Sequence, residues 1–226
     1  MSIKKLTLGG IGIIGMLTLA FLPLFQLPAI AKDATTEKIV ASLTADKAFA
    51  DLSSTPPTIE KPDWYYDVTV YFSVAKNGST VGNLTEFTTL ATQTLNDARG
   101  WARMGVKFVQ VASGGSFTLI LSQASLMPTY SSGCTADWSC NVGNKVIIND
   151  DRWMNASEAW NANGGSLRDY RHMVVNHETG HWLGHDHAFC TGAGNTAPVM
   201  QQQSIDLQGC KFNPWPLDSE LWTSRF

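Results

Sequence analysis

The chain has 226 residues, of which 44% are hydrophobic and 15% are charged, and its formal net charge at pH 7 is −3. These proportions are ordinary for a globular domain with a substantial core, and they exclude a wholly disordered chain. The sequence contains no long run of basic residues. A nucleic-acid partner is therefore not expected.

The N-terminal segment differs in composition from the rest of the chain. Lys4 and Lys5 precede an apolar run that extends to about Leu22, and a small-x-small pattern follows at 29–31. This order is typical of a cleaved export signal. The apolar run also approaches the ~20 residues that span a bilayer, so an uncleaved membrane anchor is the alternative interpretation. Residues 1–31 are thus expected to be a signal peptide or an N-terminal membrane anchor, with the protein extracellular or at the cell surface.

Residues 32–61 contain Pro56 and Pro57 and are rich in Thr, Ser, Ala and Asp. That composition predicts a linker or a short pro-segment. Residues 62–226 are expected to form one folded domain.

The first predicted elements are a strand and a helix. Residues 64–72 are aromatic and β-branched and predict a strand, after which 77–78, an Asn-Gly pair, turns the chain. Apolar residues at the helical period predict a helix between 83 and 103, with Asn83 or Thr85 as its N-cap.

Three further β-type segments follow at 106–111, 117–122 and 145–149, and a second helix is predicted over 167–183. Gly184 suits the left-handed cap of that helix. The order strand, helix, strands, helix predicts an α+β or α/β domain.

The chain has four cysteines, which is an even number in a protein expected to be exported, where disulfides persist. Four cysteines allow three pairings. Pairing within local loops is favoured, namely Cys134 with Cys140 and Cys190 with Cys210.

All five histidines lie within sixteen residues. His177 and His181 are four residues apart on the predicted helix, so they project from one face and are close enough to share one tetrahedral metal ion. Gly184 would end the helix and let the chain return His187 to the ion as third ligand. Three imidazoles leave a fourth position for water, and Glu178 would be the general base that takes its proton.

The other two histidines have different expected roles. His185 is the alternative third ligand if the helix continues through Gly184, which glycine disfavours. His172 is expected to lie at the surface or to support a ligand from behind, because it points away from the metal face.

The pattern His-Glu-x-x-His-x-x-Gly-x-x-His at 177–187 resembles the zinc signature of the metzincin clan, a group of zinc peptidases. That clan has a tight turn with a methionine beneath the metal, the Met-turn, and Met200 stands at a position that fits it. The resemblance implies one catalytic zinc ion. It also implies a zincin-like α+β domain with a twisted mixed sheet, an active-site helix and a Met-turn.

The sequence is also similar to an uncharacterised family of exported bacterial proteins with a metzincin-like site. The similar segments are 149–153, 170–171, 175–178, 198–202 and 210–216. The resemblance implies a cleft along an edge strand. Residues 145–149 are the candidate edge strand for an extended peptide, and an ordinary sheet strand is the alternative.

The leading interpretation is an endopeptidase with a peptide or protein substrate, and the protein is expected to be a monomer. A hydrolase of cell-wall amides and a non-catalytic zinc-stabilised surface module remain alternatives, and intact Glu178 argues against the module. One departure concerns the tyrosine that several metzincins carry near the Met-turn, because no tyrosine follows Tyr170. The residue that stabilises the oxyanion is thus unassigned.

Overall fold

The structure, a computed structural model, describes residues 67–226. The expected leader at 1–31 and linker at 32–61 lie outside the described residues and stay predictions.

A five-stranded mixed sheet forms the centre of the part of the chain that the structure describes. The strands are β1 (Val68–Asn77), β2 (Val106–Val111), β3 (Phe117–Ser122), β4 (Cys140–Val142) and β5 (Lys145–Asn149). Their order is β2-β1-β3-β5-β4; the first four are parallel, and β4 is antiparallel to β5. The mixed sheet and its helices confirm the predicted fold class.

Of the two interpretations of 145–149, the edge strand is wrong and the ordinary sheet strand is confirmed. β5 pairs with β3 on one side and with β4 on the other, and Val146, Ile147 and Ile148 are fully buried. The edge position belongs to β4. A strand of three residues is too short to show the alternation by which strands are found in a sequence.

Residues 67–226 contain four α-helices: α1 (Leu84–Asn96), α2 (Asp150–Asn155), α3 (Glu158–Ala162) and α4 (Leu167–Leu183). Asn83 caps α1, because its side chain accepts hydrogen bonds from the amides of Thr85 and Glu86. The helix ends earlier than predicted because Asp97 takes an extended conformation. A 3₁₀ turn, Trp101–Met104, follows.

The bounds of α4 are those predicted from the sequence. Ser166 caps its first turn by accepting a hydrogen bond from the amide of Asp169. At the other end Gly184 has φ +106° and ψ 14°, the left-handed conformation that glycine adopts without strain. Most of the helix is buried, with Val175 and Leu183 in the main hydrophobic cluster.

Both favoured disulfides are present, Cys134 with Cys140 and Cys190 with Cys210. The first closes a loop that ends at the first residue of β4. The second joins two positions that are 20 residues apart in the segment that follows α4. Among residues 67–226, no helix has the length and apolar character needed to cross a membrane.

Candidate metal centre and its cleft

The structure brings three predicted ligands together at the C-terminal end of α4. His177 and His181 lie one helical turn apart, and the left-handed turn at Gly184 returns the chain so that His187 faces them. One ligand atom from each histidine lies within 4.8 Å of the others, an arrangement that could hold a metal ion.

The hydrogen bonds of two imidazoles determine which nitrogen each presents. His177 Nδ1 is 2.8 Å from the carbonyl oxygen of Val199, and His181 Nδ1 is 2.8 Å from that of His185. A carbonyl only accepts, so each Nδ1 carries the proton and each Nε2 presents a lone pair. His181 Nε2 lies 3.2 Å from His187 Nε2. Two nitrogens that bind one tetrahedral zinc at about 2.0–2.1 Å lie about 3.3 Å apart, so this pair fits such an ion.

Burial favours the neutral, metal-binding form of these imidazoles. It lowers the pKa of His177 to about 3, and it lowers the pKa of His181 and of His187 below the ordinary value. Neutral imidazole is the form that coordinates metals. A set of three such donors suits Zn, Cu, Fe and Ni alike.

Glu178 lies beside the histidines in the same cleft and is 5% exposed. Burial raises the pKa of its carboxyl to about 8. Its Oε2 has no hydrogen-bond partner within residues 67–226. The carboxyl group thus lines the cleft with one buried oxygen that accepts no hydrogen bond from the described residues.

His185, the alternative ligand, has a different partner. Its Nε2 donates to the carbonyl oxygen of Trp222 at 2.9 Å, and its ring packs on Trp222 and on Trp101. His185 is not in the group of side chains that could share an ion. The backbone carbonyl oxygen of His185 instead accepts the hydrogen bond from His181 Nδ1.

His172 is fully buried, so the expectation of a surface position is wrong. Its ring packs on Trp215, and its Nδ1 lies 2.7 Å from Thr94 Oγ1. Thr94 donates its hydroxyl proton to Leu90, so His172 Nδ1 must be the donor in the bond to Thr94. The histidine is a core residue that joins α1 to α4.

The His172→Gln variant is expected to lose less stability than wild type when the pH falls. Burial and then the charge of Arg168 lower the pKa of His172 to about 3. As the pH falls, the imidazole of His172 therefore binds a proton in the unfolded chain before it does so in the folded protein. The contribution of neutral His172 to the free energy of unfolding is complete above about pH 6.5 and is lost as the pH falls towards 3. Urea unfolding at pH 7 and pH 4.5 should show a loss about 2–3 kcal/mol smaller in the variant. Equal losses in the two proteins would show that His172 titrates normally.

Met200 lies on a tight turn beneath the middle of α4, where the amide of Gln201 donates to the carbonyl oxygen of Pro198. Met200 is 1% exposed. A Cβ atom at Gly180 would lie 2.3 Å from its sulfur, so glycine at that position lets the turn approach the helix. The structure thus places Met200 against the helix segment that bears His177 and His181.

A cleft of about 530 Å³ passes the three histidines and Glu178. One wall is the disulfide loop and edge strand β4, with Trp138, Ser139 and Asn141. The other wall follows α4 back to Tyr170 and includes the residues after Met200, such as Ser204. Tyr170 and Ser204 share a hydrogen bond of 3.0 Å between their hydroxyl groups.

The sequence did not single out Ser139, Asn141 or Ser204 as cleft-lining residues. Trp138 lies inside the loop that the Cys134–Cys140 disulfide closes. The predicted disulfide was therefore the sequence feature that indicated an ordered loop beside β4. Ser204 contacts Tyr170 across thirty-four positions, and no local pattern reveals such a contact.

A buried helix that carries two of three clustered histidines, next to a carboxyl group in an open cleft, defines a candidate metal centre. The family model DUF3152, described as a protein of unknown function, matches residues 37–215. The chain belongs to this family. No curated protein matches the sequence of this chain.

Among solved structures the chain is similar to the crystal structure of archaemetzincin from Methanopyrus kandleri. The two are 12% identical with a TM-score of 0.42, and the match covers 71% of this chain and 94% of that one. A likeness of this size assigns no activity to the chain.

Proposed function

We propose that the protein is an exported zinc-dependent endopeptidase, with zinc held by His177, His181 and His187 and with Glu178 as general base. The observation that carries the proposal is the geometry of the centre. Three neutral imidazoles converge at the cleft, and a buried carboxyl group without a partner inside residues 67–226 lies beside them.

Bound zinc would polarise the scissile carbonyl. It would also lower the pKa of a coordinated water molecule to about 7. The carboxyl group of Glu178 would take the proton from the attacking water and return it to the leaving amine nitrogen. Its buried position supports this role, because burial raises the pKa of the carboxyl group to about 8 and brings it closer to that of a zinc-bound water.

A peptide substrate is supported by the cleft's first wall. β4 is an edge strand, and Cys140 and Asn141 line the cleft. An extended peptide can pair with such an edge through backbone hydrogen bonds that do not depend on its sequence.

The remaining parts of the proposal concern location and assembly. Two disulfides are compatible with an oxidising compartment outside the cytoplasm. Residues 1–31 would direct export or act as an N-terminal membrane anchor. The protein would act as a monomer on peptide or protein substrates and would bind no nucleic acid.

The proposal is tested by metal analysis and peptide cleavage on the full-length protein. We expect one zinc per chain by mass spectrometry, and cleavage of a mixed peptide library that a chelator stops and added zinc restores. Protein that is folded but free of zinc would contradict the proposal. Zinc without peptide cleavage would turn attention to cell-wall amides or to a non-catalytic module.

A further inference from the structure

The segment 217–225 follows the last residue that the family model matches, which is residue 215. It is nevertheless linked to the candidate metal centre, indirectly, by two separate sets of hydrogen bonds. We refer to 217–225 as the C-terminal brace.

The first set of bonds involves Glu220, whose side chain is buried at 6% exposure. Its Oε2 accepts from the amides of Val199 and Leu217 at 2.9 and 2.8 Å, and its Oε1 accepts from the amide of Met200 at 2.9 Å. One carboxyl group thus ties the brace to the turn that carries Met200. Hydrogen bonds from amides to a carboxylate are among the stronger ones in proteins.

Val199 connects Glu220 to a ligand. Its amide donates to Glu220, and its carbonyl oxygen accepts the Nδ1 proton of His177. The position of that carbonyl sets both the tautomer and the ring orientation of His177. Glu220 therefore acts on His177 through a single intervening residue.

The second set of bonds holds the end of α4. The carbonyl oxygen of Leu183 accepts from Thr223 Oγ1 at 2.8 Å and from the amide of Ser224 at 3.3 Å. Trp222 accepts from the ring of His185. The carbonyl of His185 in turn holds His181 Nδ1. The brace therefore reaches a second ligand by the same kind of two-step path.

We propose that the C-terminal brace positions His177 and His181 for metal binding, with Glu220 as its principal positioning residue; this rests on the proposed metal site. Each path ends on a carbonyl that orients an imidazole. A segment that served only to cover the core would not need a buried carboxyl group aimed at the backbone of this turn.

The Glu220→Gln variant tests the proposal in the full-length protein. Glutamine puts an NH₂ donor where an oxygen accepted, so at least one backbone amide loses its partner. Zinc affinity, measured by competition with a chromophoric chelator, is expected to weaken about 10- to 100-fold, the usual effect of removing a group that orients a ligand. The visible spectrum of the cobalt-loaded protein should also change, because it reports the arrangement of the ligands.

The matched control is Asn96→Ala. Asn96 is buried, and its side chain makes two hydrogen bonds to the backbone of Phe108 on β2, at the sheet edge opposite to β4. Its loss should lower the free energy of unfolding while leaving the zinc affinity and the cobalt spectrum as in wild type. Equal changes in both variants would reduce Glu220 to a general stabilising role and overturn the proposal.

A chain that ends at Leu221 provides a second test if Glu220→Gln does not fold. It keeps Glu220 and removes the contacts of Trp222, Thr223 and Ser224, and its zinc affinity is expected to fall about tenfold. Wild-type affinity in this chain would overturn the second path. If wild type itself binds no zinc, the proposed function fails; if wild type binds and Glu220→Gln binds equally well, the brace alone fails.

Discussion

Glu178→Gln is expected to lower kcat/KM for peptide hydrolysis by about a thousandfold while the protein keeps one zinc per chain. The amide is nearly isosteric with the carboxyl group but cannot accept a proton from water. Glu178 is not in the group that could hold the ion, so the metal should stay. The cost of burying a carboxyl group disappears with the substitution, so the free energy of unfolding should not fall.

The measurement is a rate assay on the preferred peptide together with metal analysis of the same samples. Glu158→Gln is the matched control, because it makes the same substitution at an exposed residue in the first turn of α3. Its kcat/KM should equal that of wild type. Loss of zinc along with activity in Glu178→Gln would make Glu178 a ligand, and an unchanged rate would remove it from the mechanism.

The sequence predicted α4 and its ligand spacing because everything needed is local. The apolar periodicity and Gly184 lie within one continuous segment, and the helical period alone places His177 and His181 on one face. The last ligand, His187, follows from the turn that a glycine allows. The four predicted β segments were also local, since each is a short run rich in β-branched or aromatic residues.

The parts that sequence reasoning missed depend on contacts between distant residues. β4 is three residues long and gains its role from pairing with β5, and the buried state of His172 results from its contacts with Thr94 and Trp215. The link from Glu220 to the turn at Met200 spans twenty positions. No periodicity or spacing rule connects such pairs, because they meet only after the sheet and α4 have packed.

His187→Ala and His185→Ala are expected to have opposite effects, which separates the two candidate third ligands. His187 is exposed and could share the ion, so its removal should weaken zinc affinity more than about 100-fold, beyond what the loss of an orienting group causes. The metal-free His187→Ala variant should unfold at nearly the same urea concentration as the metal-free wild type, because no buried contact is lost.

His185 is buried, donates to Trp222 and packs on Trp101. Its replacement by alanine should lower the free energy of unfolding of the metal-free protein by about 1–3 kcal/mol, because it leaves a cavity and an unpaired carbonyl. Zinc affinity should fall about tenfold at most, since His181 keeps the backbone carbonyl of residue 185 as its partner. The reverse pattern, with affinity lost at His185 and stability lost at His187, would move the third ligand to His185 and require α4 to continue through Gly184.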